Sequence, residues 1–407
     1  MVCGLLGRKL GHSYSPQIHA GLGDYSYTLL EKEPEELEVF LKSGGFDGLN
    51  VTIPYKKAVI PFLDELSDRA AQLGAVNTIV RRNGRLIGHN TDFFGFSSML
   101  ARSGLEVFGK KVLVLGSGGA SNTVCQVLRE CGAQVVVISR SGADNYDNLE
   151  RHADASLIVN ATPVGMYPNV ESAALDLSKQ HFERLEGVLD LIYNPARTSL
   201  LLAAEEKGLV TANGLWMLVA QAKESAEWFI GKKIPENRIG EIYRDLKSAM
   251  ENTVFIGMPG CGKTTVGIRF AEAKGKRFVD VDEEITARTG RSPAQIICEE
   301  GEAAFRQIEH GVLADLGKQS GLVIATGGGC VTKPENYAAL HRNGNIYWLT
   351  RDLEKLPTTG RPLSQADGVA ALYRQREKLY RRFADQVVDN NGSLDETMNQ
   401  LNGGKQV

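Results

Sequence analysis

Residues 252–265 read NTVFIGMPGCGKTT, an apolar run that opens into a glycine-rich loop closed by one lysine and two threonines. Gly257, Gly262, Lys263 and Thr264 match the pattern G-x-x-x-x-G-K-[ST], with Gly260 inside the loop and Thr265 after it. A strand-like segment precedes the loop, and VGIRFAEAKG, with the character of a helix, follows it. In that context backbone N–H groups and the lysine hold a nucleotide triphosphate, while the Thr264 hydroxyl takes Mg2+. The motif therefore demands an α/β layer with a strand that ends in a phosphate loop. It also begins nearly two-thirds of the way along a chain of 407 residues, so a large unit precedes it.

That upstream part has its own phosphate turn. KKVLVLGSGGAS runs from a buried-type strand into Gly116, Gly118, Gly119 and Ala120, and then into a helix predicted near 119–131. Glycines there permit a tight turn and let a dinucleotide pyrophosphate approach the helix N-terminus. The next strand, AQVVVISRS, ends in Ser139, Arg140 and Ser141 where an NAD-selecting fold places an acid. A cation between hydroxyls suits a 2′-phosphate, so NADP is expected.

Strand-like and helix-like segments alternate through both parts, which predicts α/β architecture with mostly parallel sheets. FDGLNVTIP, SLIVNAT and GVLDLIYN are strands of the first part; RFVDVD, GLVIATGGG and NIYWLT belong to the second. The boundary falls near 250, after the helical IGEIYRDLKSAMEN, with no glycine-serine or proline spacer. A net charge of −3 gives no reason to expect nucleic acid or an anionic membrane as partner. No apolar stretch reaches the ~20 residues of a membrane span, and the N-terminus does not read as a signal peptide. Six cysteines stand singly, without metal spacing, as free thiols of a reducing cytoplasm do. Cys261 sits within the phosphate loop, where a helix N-terminus can lower a thiol pKa. Two readings of it follow, an oxidation-sensitive thiol or a small loop-filling residue.

Polar residues gather in GHSYSPQIH (Ser13, Ser15), NVTIPYK (Asn50, Thr52, Lys56), AVNT (Asn77) and HNTD (Asn90, Asp92). An extended backbone would present Ser13 and Ser15 on one side. With NATPVGM, DLIYNPARTSLL and GLWMLVAQA, these segments closely resemble shikimate dehydrogenase over about 1–250. The resemblance implies a substrate domain over 1–100, joined by a returning helix at about 215–246, and a Rossmann-type NADP domain over 101–214. It implies that Ser13 and Ser15 hold the substrate carboxylate, and that Asn50, Thr52, Asn77, Asp92 and Gln221 hold its hydroxyls and ring, with Tyr193 closing over it. Lys56 and Asp92 are the implied catalytic pair, since ketone reduction needs a proton or positive charge at oxygen. The selecting strand ends Ser-Arg-Ser where the family usually has Asn-Arg-Thr, so the adenine-side contacts differ.

FVDVDEEI (Asp280, Asp282), EAAFRQIE (Arg306), ATGGG (Gly327, Gly328, Gly329), TTGRPL (Arg361) and RQREKLYRRFA (Arg376) follow the second loop. Their order resembles shikimate kinase over about 252–395, a P-loop domain with a parallel sheet flanked by helices, here placed at 252–407. The resemblance implies that Asp280 supports Mg2+, that Asp282 activates the accepting hydroxyl, and that Arg306 and Arg376 grip the shikimate carboxylate beside the triple glycine. Arg361 would arrive on a lid. An adenine-side arginine of the family has no counterpart; Glu354 and Lys355 stand there. The two resemblances imply consecutive reactions with 3-dehydroshikimate and shikimate as ligands and NADP(H), ATP and Mg2+ as cofactors. Two alternatives stay open: quinate oxidation or NAD use by the first unit, and a catalytically silent metabolite sensor. Oligomeric state is open between monomer and homodimer.

Overall fold

The computed structural model describes residues 1–11, 13–357 and 368–403. Arg361 lies outside the described residues. The chain forms two compact units. One comprises Met1–Met166, Glu171–Tyr193 and Ala203–Leu246; the other comprises Tyr167–Val170, Asn194–Leu202 and the chain from Lys247 onward.

The first unit contains two sheets. In the first, β1 (Val2–Gly7) lies parallel between β2 (Ser26–Glu31) and β3 (Gly48–Val51). An antiparallel run then leads through β5 (Thr78–Arg82) to β6 (Arg85–His89), with short β4 (Glu65–Leu66) on the edge. Arg82 pairs with Arg85 across Asn83–Gly84, whose φ values of 51° and 79° make the two-residue turn that suits hairpin twist. On β3, an added Cβ at Gly48 would lie 2.4 Å from the Phe229 ring, so glycine there admits the helix Leu215–Ile230. Gly95 does the same from the helix Asp92–Ser103: its Cβ would meet the Met217 carbonyl at 2.9 Å. These two close approaches bring Gln221 and Ser225 over the sheet. The expected single returning helix is two, Leu215–Ile230 and Asn237–Met250, because Gly231 turns left-handed (φ 68°) and Pro235 follows.

The second sheet is wholly parallel, in the order β11 (Val210–Ala212), β10 (Gly187–Asp190), β9 (Leu157–Asn160), β7 (Lys111–Leu115), β8 (Gln134–Ile138). The winding order reverses between β7 and β9, and the Gly116–Gly119 turn leaves β7 at that switch point, where ligands of such sheets bind.

The second unit holds a third parallel sheet, ordered β13 (Arg277–Asp280), β14 (Leu322–Ala325), β12 (Asn252–Ile256), β15 (Gly344–Thr350), β16 (Gln386–Asp389). Strands β12 and β14 are buried throughout, as expected of a sheet with helices on both faces. The phosphate loop leaves central β12 and enters the helix Lys263–Lys274. Helical residues Pro293–Gly317 are broken at Gly301 (φ 86°), which sets the direction of the segment carrying Arg306.

Candidate active sites

Ser13, Ser15, Asn50, Thr52, Lys56, Asn77, Asp92, Tyr193 and Gln221 all line one cavity of ≈ 250 Å³ in the first unit, with Ala120 of the nucleotide turn on its wall. Asn50 lies on β3, Thr52 and Asn77 flank β3 and β5, Ser15 and Asp92 open helices, Tyr193 follows β10, and Gln221 is on the helix Leu215–Ile230. Lys56 Nζ donates to Asp92 Oδ2 at 2.5 Å, and Asn77 Nδ2 donates to Asp92 Oδ1 at 2.9 Å. Asp92 is thus held at both oxygens, by a cation and by an amide. Ser13 and Ser15 meet the expectation of adjacency for a different reason. Their hydroxyls are 3.2 Å apart because Tyr14 between them is αR, at the start of the helix Ser15–Ala20, rather than extended. Asn90 is turned away and donates to the Ala75 carbonyl at 2.9 Å. Tyr193 stands edge-on to Tyr14 at 6.2 Å, and burial pushes its phenol pKa up.

At the nucleotide turn Gly116 has φ 100°, and a Cβ there would lie 2.8 Å from Thr162 Cγ2. Gly118 and Gly119 have open space where side chains would begin, ahead of the helix Gly119–Glu130. Glycine leaves that cradle free for a pyrophosphate, so the turn fits a dinucleotide. Ser139 is half-buried; Arg140 and Ser141 are exposed, and Arg140 makes no ion pair among the described residues. It is a free cation beyond the end of β8.

The second unit's cavity, ≈ 400 Å³, is lined by Gly260, Gly262, Lys263, Thr264, Thr265, Asp280, Asp282, Arg306, Gly327, Gly328, Gly329 and Arg376. Gly257, Gly260 and Gly262 have φ of 142°, 82° and 102°, a backbone only glycine holds without strain. Gly257 lies behind the cavity, where a Cβ would be 2.4 Å from the Leu349 carbonyl. Lys263 is buried and folded onto its own loop, donating to the carbonyls of Gly257 (3.0 Å) and Met258 (3.1 Å). Thr264 Oγ1 donates to Asp280 Oδ2 at 2.7 Å, and Asp280 Oδ1 caps the helix Val281–Thr289 through the Asp282 N–H at 3.0 Å. A hydroxyl and a carboxylate on one side of a phosphate loop fit Mg2+, which keeps several waters. Asp282 opens to the cavity but is walled by protein on its other sides. That desolvation, then Asp280, raises its pKa, against the pull of Lys263 and Arg306.

The triple glycine has a separate reason at each position. A Cβ at Gly327 would be 2.5 Å from Glu309 Oε1, one at Gly328 would be 2.6 Å from the Pro259 ring, and one at Gly329 would be 1.9 Å from Arg306 Nη2. Arg306 lies flat on this backbone, its Nη1 donating to Glu309 Oε2 at 2.7 Å and its Nη2 to Glu302 Oε1 at 2.9 Å. Arg376 Nη1 donates to the Gly328 carbonyl at 3.2 Å, and the Tyr380 hydroxyl donates to the same oxygen. Sequence reasoning misses Glu309 and Tyr380, although each stands three or four residues from a chosen arginine on the same helix, the spacing of facing side chains. It also misses Thr78, Thr91 and Ser225 behind the first cavity, for which no local signal exists. Cys261 is 1 % exposed and part of the hydrophobic core, so loop filling is its role and the oxidation-sensitive reading loses its footing.

The fold and the two cavities define an oxidoreductase with a dinucleotide turn, followed in the same chain by a P-loop phosphotransferase. Residues 5–79 match the family model of the shikimate dehydrogenase substrate binding domain, and residues 259–402 that of shikimate kinase. Shikimate dehydrogenase (NADP(+)) of Clostridium perfringens is 37% identical over 266 residues, 60% of this chain and 97% of its own. The solved shikimate 5-dehydrogenase of Thermus thermophilus in complex with NADP(H) and shikimate is 33% identical. It covers 60% of this chain and 99% of its own, with TM-score 0.55. A chorismate mutase/shikimate 5-dehydrogenase fusion protein from Clostridium acetobutylicum is 35% identical over 60% of this chain and 97% of its own, TM-score 0.54. The chain belongs to the shikimate dehydrogenase family, and a shikimate kinase domain follows in the same polypeptide. It is a bifunctional enzyme of the shikimate pathway, with NADP(H) as cofactor of the first half and ATP with Mg2+ of the second.

Proposed function

We propose that the ≈ 250 Å³ cavity reduces 3-dehydroshikimate to shikimate and that the ≈ 400 Å³ cavity phosphorylates the 3-hydroxyl of the product. The observation that carries the first assignment is the Lys56–Asp92 pair lining the same cavity as Ala120 of the nucleotide turn. Gly116, Gly118, Gly119 and Ala120 would hold the pyrophosphate of NADPH, with Ser139, Arg140 and Ser141 at its 2′-phosphate, and the bound cofactor would supply the hydride. Lys56 places a proton and positive charge at the carbonyl oxygen as it becomes an alkoxide, and Asp92 holds that ammonium in place. Ser13 and Ser15 would take the carboxylate; Thr52, Asn77, Gln221 and Asn50 the ring hydroxyls; Tyr193 covers the site.

In the kinase half the loop Gly257–Thr265 with Lys263 would hold ATP, which would supply the phosphoryl group. Lys263 must exchange its two loop carbonyls for phosphate oxygens, which are stronger partners for an ammonium. Thr264 and Asp280 would hold Mg2+. Asp282, which lines the cavity beside Asp280, would take the proton of the accepting hydroxyl. Arg306 and Arg376 meet the shikimate carboxylate as guanidinium forks. The assignment of Arg361 to a lid rests on its motif alone.

One sheet in each of 1–100, 101–214 and 252–407 supports that division into domains, with residues 215–246 returning to the first. Among the described residues no helix is long and apolar enough to cross a membrane, and all six cysteines are free, which supports a cytoplasmic enzyme of small-molecule substrates. A coupled assay tests the whole reading. 3-Dehydroshikimate, NADPH and ATP with Mg2+ should yield NADP+ and shikimate 3-phosphate, and absence of either product removes that half.

A further inference from the structure

Behind the first cavity lies a fully buried hydroxyl, Ser225, on the helix Leu215–Ile230. Its Oγ is 2.9 Å from the Gln221 carbonyl oxygen, accepts from Asn50 Nδ2 at 2.8 Å, and lies 2.7 Å and 2.9 Å from the hydroxyls of Thr78 and Thr91. Whichever of these oxygens takes its single proton, the Asn50 amide N–H can only donate, so one Ser225 lone pair is committed to Asn50. The Asn50 amide is then largely committed. One Nδ2 proton goes to Ser225 and the other is taken up by weaker contacts to Thr78 Oγ1 (3.3 Å) and the Asn77 carbonyl (3.4 Å). Its Oδ1 accepts from the Tyr27 hydroxyl at 2.8 Å. His19 is a further side-chain partner of Asn50, so what Asn50 offers a ligand is the acceptor capacity of Oδ1 that Tyr27 and His19 leave.

We propose that Ser225 is a positioning residue of the dehydrogenase, fixing the Asn50 amide so that Asn50 meets the substrate as acceptor of a hydroxyl proton. The inference rests on the reading of that cavity as the substrate site. Ser225 does not line the ≈ 250 Å³ cavity itself, and serine at this position follows from no motif. Thr91 extends the same hold toward the reacting pair, since Asn77 Nδ2 reaches both Thr91 Oγ1 (3.0 Å) and Asp92 Oδ1 (2.9 Å).

The test is a double-mutant cycle in the full chain with Ser225→Ala, Asn50→Ala and the pair, read as kcat/KM for shikimate oxidation, KM for NADP+ and kinase rate. Ser225→Ala should lower kcat/KM for shikimate about tenfold, mostly through KM, the scale of one well-made buried hydrogen bond. KM for NADP+ and the kinase rate should not move. In the Asn50→Ala background Ser225→Ala should add little, because both changes remove one interaction. Additive losses, or an unaltered Ser225→Ala enzyme beside an impaired Asn50→Ala one, overturn the proposal and leave the site standing. An Asn50→Ala enzyme with normal shikimate kinetics overturns the site reading itself. Should Ser225→Ala unfold the dehydrogenase half, Ser225→Cys fills nearly the same volume with a weaker hydrogen-bonding group. It should show a partial loss, again absent on top of Asn50→Ala; a full wild-type value refutes positioning.

Discussion

Replacing Gly329 by alanine probes the proposed carboxylate grip of the kinase half with one methyl group. The new Cβ would stand 1.9 Å from Arg306 Nη2 and 2.4 Å from its Cζ, where non-bonded carbon contacts settle at about 3.5–4.0 Å. The guanidinium therefore has to retreat by more than ~1 Å. It is the far end of a flexible side chain, so the fold absorbs the move. The cost is weakened hydrogen bonding to Glu309 (2.7 Å) and Glu302 (2.9 Å), on the order of 1–3 kcal/mol. Function is less forgiving, since a displacement of ~1 Å in a positioning group can cost ~100-fold in rate. Steady-state kinase assays on Gly329→Ala should show kcat/KM for shikimate down about 100-fold, with KM for ATP and the dehydrogenase rate of the same chain unchanged. Gly328→Ala makes the contrast: its Cβ would press on the rigid Pro259 ring of the phosphate loop at 2.6 Å, so KM for ATP should rise. A Gly329→Ala enzyme with wild-type kcat/KM for shikimate would refute the placement of Arg306 in the substrate site.

Lys56→Ala should lower the dehydrogenase rate by about 10²–10⁴-fold and spare the kinase, and Lys263→Ala should do the reverse; product analysis of the coupled reaction reads both. Loss of both activities in either variant would contradict independent chemistry. Arg140→Ala should raise KM for NADPH about tenfold or more, the worth of a charge-assisted hydrogen bond, while leaving NADH use unchanged; equal effects on the two cofactors would remove its 2′-phosphate role. Glu224, beside Ser225, has its carboxyl pushed up to about 7 from its ordinary 4.5, by burial first and then by Glu227 and Glu236, against Lys233 and Lys223. The folded state therefore holds that proton more tightly than the unfolded chain. Its stabilising share is complete below about pH 4.5 and is lost as pH rises through about 7, with a slope of at most about 1.4 kcal/mol per pH unit. Glu224→Gln should flatten that part of the pH dependence of the urea midpoint at which dehydrogenase activity disappears; an unchanged slope would refute it.

The two phosphate-binding turns are legible in the sequence alone, because each is contiguous: strand, glycines and helix start within about a dozen residues, and the backbone chemistry needs no distant partner. The Asn83–Gly84 hairpin carries an equally local sign, the Asn-Gly pair, but one that does not by itself say which strands it joins. Strands β1, β2, β4, β5 and β6 of the first sheet escape sequence reasoning, since their short runs distinguish strand from other structure poorly. Helical periodicity alone carries the returning helix past Gly231, whose left-handed φ ends it.

What the sequence determined by itself was the chemistry available: two glycine turns, a lysine with a carboxylate to match it, and guanidiniums for a carboxylate substrate. Tertiary structure decided which of these groups meet and how each is held. Asn50 and Ser225, 175 residues apart, share a hydrogen bond because Gly48 and Gly95 let one helix settle over β3. Gly327, Gly328 and Gly329 are adjacent in sequence but answer to Glu309, Pro259 and Arg306 in turn. Local motifs encode a backbone conformation; the neighbours that make a glycine obligatory or a serine a hub arrive only when distant segments pack to within a few ångströms.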